Sequence, residues 1–215
     1  MESPRVALCL FGLVGGSSGK NGAGDPVDPA ISFSAYYDHI LSKNDVDVYF
    51  HTWSVDHGEK LLRMYNPKKY IIEPQVVFDD DVVVNRTNSR WYSTRKSIDL
   101  IDGDYDIVML SRFDVAFFTD IDFSQYDPKH FYVSHWNDVG HKNHHTHGFL
   151  DLWFFGGQNI MRKFGQLSLY MDSYHISQHV SSMQHAKHIG ADVKHVMYRG
   201  YDFELARRAI LKCKK

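Results

Sequence analysis

The sequence has little cysteine, no surplus of basic charge and no long apolar run. Its two cysteines, Cys9 and Cys213, stand near opposite ends of 215 residues, so we expect reduced thiols and a cytoplasmic protein rather than a disulfide framework. The 24 lysines and arginines do not outnumber the 26 acidic residues, which argues against a general nucleic-acid-binding protein. We expect neither a membrane span nor a secretory signal, since the apolar runs are far shorter than about 18 residues.

Glutamate is also scarce, because 22 of the 26 acidic residues are aspartate. Aspartate forms helices poorly and is common in turns, helix caps and metal sites. Histidine is frequent at 14 residues, and aromatic residues reach 14%. This composition predicts a folded domain with a large aromatic core and many polar loops.

Apolar runs typical of buried strands alternate with segments of helical spacing. Strands are predicted at residues 5–11, 47–51, 69–72, 106–110, 130–134, 149–155 and 193–198. Helices are predicted at residues 31–43, 57–66, 91–101, 158–172, 177–189 and 202–211, and residues 75–90 are predicted to be irregular. The alternation predicts an α/β fold with a mostly parallel central sheet flanked by helices. We expect one domain over residues 1–215, excised from a longer protein with further domains.

The glycine-rich loop at residues 12–30 lacks the standard phosphate-binding motifs. The Walker motif fails because Val14 replaces its first glycine and Asn21 replaces its serine or threonine. The dinucleotide motif GxGxxG fails at Val14 as well, when counted from Gly12. These failures argue against a phosphotransferase or a dehydrogenase. The loop is either a plain connection or a ligand-covering segment, in which Lys20 is the candidate for a phosphate.

Histidines gather at residues 135–147, and His175 and His179 have i, i+4 spacing. Structural zinc sites use regular cysteine and histidine pairs, and zinc hydrolases need a glutamate after the first histidine of such a pair. Neither is present here. Residues 135–147 are therefore predicted to be a solvated or acceptor-binding loop rather than a zinc site.

A carboxylate and an arginine directly follow the strongest predicted strand. Residues 106–110 are followed by Ser-Arg-Phe-Asp, which ends at Asp114. In open α/β sheets, ligands bind beyond the carboxyl ends of the strands. Asp114 is thus a candidate ligand for Mg²⁺ or Mn²⁺ against a diphosphate, and Arg112 a candidate partner of phosphate oxygens. The alternative is a surface-turn aspartate paired with its neighbour Arg112.

Three segments together resemble the GT-A-type glycosyltransferases. Residues 47–53 (DVYFHTW) resemble their second-strand motif, and residues 92–97 with 105–114 resemble their helix, strand and metal-site sequence. Residues 148–156 (GFLDLWFFG) resemble their acceptor-side strand. The segments occur in the family's order across nearly the whole chain. More closely, the chain is similar to amino-terminal domains of multidomain chlorovirus glycosyltransferases that build capsid glycans.

The resemblance implies a UDP-sugar donor, Mn²⁺ or Mg²⁺, and transfer of a glucose- or rhamnose-type sugar to a glycan acceptor. For a viral protein, it implies action in the host cytoplasm. The residues that it assigns to nucleotide-sugar binding are Phe11, Gly12, Leu13, His51, Trp53, Ser93, Lys96, Arg112 and Asp114.

Roles for single residues follow from this chemistry. Asp114 is the expected metal ligand, and His195 is a candidate for the second ligand unless it is a partly buried strand histidine. Asp151 interrupts an apolar strand, where a carboxylate is unfavourable unless it is paired or functional. It is either a base in an inverting enzyme, a stabiliser of an oxocarbenium-like centre in a retaining one, or a structural carboxylate.

The other assigned side chains have alternative roles too. His51 and Trp53 flank the nucleoside or pack in the core. Ser93 and Lys96 share a helix face by i, i+3 spacing, which points either to the nucleotide or to solvent.

The sequence departs from the GT-A pattern at two places. Arg112 stands where the metal motif usually has its first aspartate, and residues 177–179 carry no carboxylate where the family often has a glutamate. These departures keep open a second hypothesis, a non-catalytic nucleotide-sugar-binding domain on the same fold.

Overall fold

The computed structural model describes residues 3–17, 24–136 and 148–208. Nine strands are formed there: β1 (Arg5–Gly12), β2 (Asp45–Thr52), β3 (Lys69–Ile72), β4 (Ile107–Arg112), β5 (Val115–Phe117), β6 (Phe131–His135), β7 (Trp153–Gly156), β8 (Val193–Tyr198) and β9 (Phe203–Leu205). The α-helices are α1 (Pro29–Tyr36), α2 (Gly58–Tyr65), α3 (Val82–Asp99), α4 (Gln158–Gly165) and α5 (Gln178–His188). A π-helical turn, Tyr37–Leu41, continues α1, and 3₁₀ helices cover Val55–His57, Phe123–Gln125 and Gln166–Ser173.

Seven strands form one central sheet in the order β3-β2-β1-β4-β7-β6-β8. Strand β7 is antiparallel to both of its neighbours, and every other pair in this sheet is parallel. Strands β5 and β9 form a separate antiparallel pair. The predicted fold class, a mostly parallel sheet flanked by helices, is confirmed.

Side chains of β1 alternate between two buried cores. Val6 and Leu8 belong to a core shared with α1 and α2, whereas Ala7 and Cys9 belong to a core shared with α3 and α4. A parallel strand covered on both faces reads as a continuous apolar run, which is why residues 5–11 could be recognised. Burial raises the pKa of the Cys9 thiol, so this cysteine is an inert core residue.

Helix α3 begins earlier than predicted. The irregular segment predicted at residues 75–90 is wrong from Val82 onward, because Asp81 caps the helix by accepting hydrogen bonds from Val83 N at 2.8 Å and Val84 N at 3.0 Å. Three consecutive β-branched valines have low helix propensity and conceal this start in the sequence.

Three other boundaries differ from the prediction. The strand predicted at residues 149–155 begins only at Trp153, so Asp151 lies in the turn before β7. The helix predicted at residues 202–211 is wrong at 203–205, which pair with β5. The helix predicted at residues 158–172 is α-helical only as far as Gly165 and continues as the 3₁₀ helix Gln166–Ser173. A Cβ at Gly165 would approach Ile98 Cγ2 to 2.4 Å. Among the described helices, none combines the length and apolarity needed to cross a bilayer.

Candidate functional site

A cleft of about 520 Å³ opens where β1, β2 and β4 end. Phe11 and Gly12 come from the end of β1, Trp53 follows β2, and Arg112 and Asp114 come from the end of β4 and the turn after it. Because these strands are parallel, their carboxyl ends meet at one edge of the sheet, which is the usual ligand-binding edge. The cleft therefore stands where the sequence predicts the nucleotide site.

Most of the predicted site residues line this cleft. Those that line it are Phe11, Gly12, Leu13, Trp53, Arg112, Asp114 and Asp151. His51 and Ser93 are fully buried behind it. Lys96 and His195 are not among the residues that line it. Lys20 and most histidines of residues 135–147 lie outside the described part of the chain.

Arg112 and Asp114 form a bidentate ion pair at the end of β4. Arg112 Nε lies 2.8 Å from Asp114 Oδ1, and Arg112 Nη2 lies 2.7 Å from Asp114 Oδ2. The Asp114 side chain is only 4% exposed. Gly15 packs against it so closely that a Cβ added at Gly15 would stand 2.9 Å from Asp114 Cβ. The pairing follows the structural alternative considered for Asp114, but the carboxylate is buried in the cleft wall rather than on a surface turn.

The described side chains do not form a metal-binding set around Asp114. No group of three histidine, cysteine, aspartate or glutamate side chains suited to a cation exists within residues 3–17, 24–136 and 148–208. Both Asp114 oxygens already accept hydrogen bonds from Arg112. His195, the predicted second ligand, lies on β8, where its ring is 5.3 Å from that of His135 and 6.1 Å from that of Phe149. A protein-held Mn²⁺ or Mg²⁺ does not fit this donor set.

Asp151 is a buried carboxylate between Arg90 and His179. Its Oδ2 lies 3.5 Å from Arg90 Nε and its Oδ1 lies 3.5 Å from His179 Nδ1. Burial raises the pKa of Asp151, but the charges of His179, Arg90 and Arg112 outweigh it and hold that pKa below its usual value. Asp151 is thus ionised at neutral pH.

His179 completes the Asp151 arrangement and was not predicted as a site residue. Its Nδ1 lies 2.8 Å from the carbonyl oxygen of Phe149. A carbonyl only accepts hydrogen bonds, so Nδ1 carries a proton and the neutral ring has its lone pair on Nε2. His179 lines the cleft, and its ring lies edge-on to Trp136 at 4.9 Å. The sequence signal was weak because His179 lies in α5, 28 positions after Asp151.

A buried hydrogen-bond chain supports the β1 end of the cleft. Glu73 Oε1 accepts from His51 Nε2 at 2.9 Å, and His51 Nδ1 pairs with Ser93 Oγ at 2.7 Å. Ser93 Oγ also accepts from Gly12 N at 2.9 Å. His51 and Ser93, which were predicted to bind nucleotide, therefore act behind the cleft wall and fix the backbone of Gly12.

Trp53 lines the same end of the cleft with its edge, because the residue is only 6% exposed. Its indole stacks on Tyr92 with a 5.5 Å centroid distance and a 19° interplanar angle. The His51 ring meets Trp53 edge-on at 4.5 Å. Packing from two sides fixes the orientation of the indole.

Residues near the end of the described chain also line the cleft, and three of them, Arg199, Arg207 and Arg208, form what we call the arginine wall. Ala206 N donates to Asp114 O at 2.8 Å, which ties β9 to the turn after β4. Arg199 pairs with buried Glu204, with both Nε and Nη2 within 2.8 Å of Oε1. Arg207 and Arg208 follow directly and also line the cleft. Most of this segment was predicted as a helix and not as part of the site.

No known protein family matches the chain, and no curated protein matches it. Among solved structures, it is similar to the inositol-1-phosphate CTP transferase from T. maritima. That match has a TM-score of 0.52 and 13% identity, over 94% of this chain and 89% of that chain. The mouse xyloside xylosyltransferase 1, apo form, matches with a TM-score of 0.49 and 11% identity, over 91% and 85%. At such identity the first likeness shows a shared fold, in agreement with the predicted GT-A-like architecture.

Proposed function

We propose that the chain is a glycosyltransferase that transfers a hexose or deoxyhexose, of glucose or rhamnose type, from a UDP-sugar to a glycan hydroxyl. The observation that carries this proposal is the cleft at the carboxyl ends of β1, β2 and β4, which is lined by aromatic residues, arginines and two buried carboxylates. The GT-A resemblance of three segments supports the sugar chemistry. The fold likeness to a CTP transferase agrees with a nucleotide-binding cleft.

The two ends of the cleft suit the two halves of a nucleotide-sugar. Trp53, held by Tyr92 and His51, lines the end of the cleft where the base would pack against aromatic side chains. Arg112, held by Asp114, offers a guanidinium to phosphate oxygens, for which its planar shape is well matched. The sugar would then lie towards Asp151.

We assign the proton transfer to His179 and a supporting role to Asp151. Nε2 of neutral His179 accepts the proton of the acceptor hydroxyl as that oxygen attacks the anomeric carbon and the bond to the diphosphate breaks. The ionised Asp151 carboxylate, 3.5 Å from His179 Nδ1, stabilises the imidazolium that forms. This arrangement favours direct displacement with inversion at the anomeric carbon.

Metal dependence and the viral setting remain predictions from the resemblance. Mg²⁺ often binds through one or two carboxylates together with substrate phosphates, but both oxygens of Asp114, the carboxylate predicted for that role, are engaged by Arg112. A place in capsid glycan synthesis, and further domains in a longer protein, rest on the chlorovirus likeness alone.

Calorimetric titration of the whole chain with UDP, with ADP and GDP as controls, tests the nucleotide part of the proposal. We expect micromolar UDP binding that is tighter than binding of the purine nucleotides. Donor turnover with UDP-glucose and UDP-rhamnose then separates the two hypotheses, because a non-catalytic domain binds UDP and neither hydrolyses nor transfers the sugar. Failure to bind any nucleotide would reject both.

A further inference from the structure

The cleft holds more positive charge than its carboxylates neutralise. Six arginines line it against two aspartates, Asp114 and Asp151. The arginines are Arg86, Arg90, Arg112, Arg199, Arg207 and Arg208. Buried Glu204, which pairs with Arg199, is a third carboxylate beside the cleft. Six guanidinium groups then face three carboxylates, so the cleft has a surplus of three positive charges. The chain as a whole carries a formal net charge of −2, so this surplus is local.

Carboxylates hold three of these six arginines in fixed positions. Asp151 holds Arg90, Asp114 holds Arg112 by two hydrogen bonds, and Glu204 holds Arg199 by two more. A guanidinium has five N–H donors, so each pairing leaves donors for a second anion. Each carboxylate therefore fixes a guanidinium without using up its hydrogen-bonding capacity.

The guanidinium groups are close enough to repel one another. Burial lowers the pKa of Arg207, Asp114 opposes that effect, and the charges of Arg112, Arg208 and Arg199 lower the pKa further. Arg112 likewise contributes to the lowered pKa of Arg90, after the larger effects of burial and of Asp151. A polyanion bound among these residues would relieve the repulsion.

We propose that the arginines lining the cleft, and not a protein-held divalent cation, neutralise the diphosphate of the donor, so that UDP binds without Mn²⁺ or Mg²⁺. The inference rests on the proposed function and names how its substrate is held. The diphosphate of a UDP-sugar carries two negative charges, and the UDP that leaves carries about three near neutral pH, since its terminal phosphate has a second pKa near 6. The surplus in the cleft therefore covers the charge of the donor and matches that of the leaving group. Arg112 occupies the position of the usual first metal-binding aspartate and replaces a cation ligand by a cation.

The test is calorimetric titration of the full chain with UDP in EDTA and in Mn²⁺. We expect affinities within about threefold of each other, and a decrease with rising salt, because exposed charges are screened. The variants Arg207→Gln and Arg208→Gln should each weaken UDP binding by about tenfold or more, since hydrogen bonds to charged groups are strong. Arg208→Lys should weaken it less, because it keeps the charge and loses only the planar fork.

Arg63→Gln is the matched control, because Arg63 is 74% exposed on α2 and pairs with Glu59 away from the cleft. It should leave UDP affinity unchanged. Circular dichroism of each variant, compared with the unaltered chain, verifies that the fold is kept.

The possible outcomes separate this inference from the proposed function. UDP binding that is lost in EDTA and restored by Mn²⁺ would overturn the arginine proposal and leave the nucleotide-sugar site intact. Equal UDP affinity of Arg207→Gln, Arg208→Gln and Arg63→Gln would overturn it as well. No binding of UDP under either condition would overturn the proposed function together with the inference.

Discussion

The two carboxylates of the cleft are held differently, and this difference separates their roles. Asp114 has both oxygens engaged by Arg112, so it positions a guanidinium. Asp151 has 3.5 Å contacts to Arg90 and His179, and His179 is the base in the proposed reaction. Removal of either charge should therefore affect different steps.

We expect Asp151→Asn to bind UDP with the affinity of the unaltered chain and to lose turnover by about a hundredfold or more, the usual range for general base catalysis. The amide keeps the volume of the carboxylate but does not stabilise an imidazolium at His179. Arg90 keeps a hydrogen bond to the Asp151 backbone oxygen at 2.8 Å and the Phe11 ring at 4.1 Å. Unchanged turnover in a folded Asp151→Asn variant would return Asp151 to a structural role.

Two buried histidines predict a loss of stability in mild acid. Burial lowers the pKa of His51 and of His185 below the ordinary value of 6.5. The unfolded chain therefore binds more protons than the folded chain below about pH 6.5, and the free energy of unfolding should decrease as the pH falls through that value. Aspartates with lowered pKa, such as Asp81, lose their contribution only near and below 3.8, outside this range.

Urea denaturation between pH 8 and 5 measures this effect. The His185→Gln variant should show a shallower dependence of the unfolding free energy on pH than the unaltered chain, at lower overall stability, because Tyr174 and the Lys163 carbonyl lose an imidazole partner. An unchanged slope would show that His185 does not contribute.

At the scale of elements, local patterns predicted the strands better than the helix starts. Strand β1 and strand β4 are uninterrupted apolar runs between polar residues, and covering helices make that pattern necessary. Helix α3 starts with valines, and the sequence gives only Asp81 as a sign of it. The turn at residues 149–152 looks like strand, because its apolar side chains pack into the cores although its backbone adds only the hydrogen bond from Arg112 N to Leu152 O to the β4 ladder.

We expect Asp81→Ala to reduce the free energy of unfolding by about 1 kcal/mol, the usual effect of losing an N-cap. Asp80→Ala is the control, since no hydrogen bond of the Asp80 side chain occurs in the described part of the chain and exposed substitutions change stability by about 0.5 kcal/mol or less. Chemical denaturation of both variants measures this difference in the free energy of unfolding. Equal stability of the two would contradict the assigned cap.

At the scale of the whole molecule, the cleft collects side chains that are distant in sequence. Arginines from α3 and from residues 199–208 face the end of β4, and His179 comes from α5. The strand-end residues could be predicted, because a polar residue after an apolar strand is a local signal with a general rule behind it. The arginine wall and His179 could not, because their meeting depends on tertiary packing that leaves no local pattern.

Gly148 allows helix α5, which carries His179, to pack closely against the backbone before β7. It has φ +81°, and a Cβ there would stand 2.0 Å from the His179 carbonyl oxygen. Gly148→Ala should lower the free energy of unfolding by about 2 kcal/mol or more and also reduce turnover, because α5 must move away and take His179 with it.

Gly190→Ala is the matched control, since Gly190 has φ +71° and open space around its Cβ position. It should lower stability by only about 1 kcal/mol and leave turnover unchanged. Thermal denaturation and donor turnover of both variants give the comparison, and similar turnover losses in both would remove the link between Gly148 and His179.

The hydrogen bond from Ala206 N to Asp114 O joins two segments that the ribosome synthesises at different times. The ribosome delivers the end of β4 first and the arginine wall about ninety residues later, an interval of several seconds at about 5–20 residues per second. During that interval the nascent chain exposes Asp114 without the strand that covers its backbone. The proposed nucleotide-sugar would therefore meet a complete cleft only after residues 203–208 have been translated.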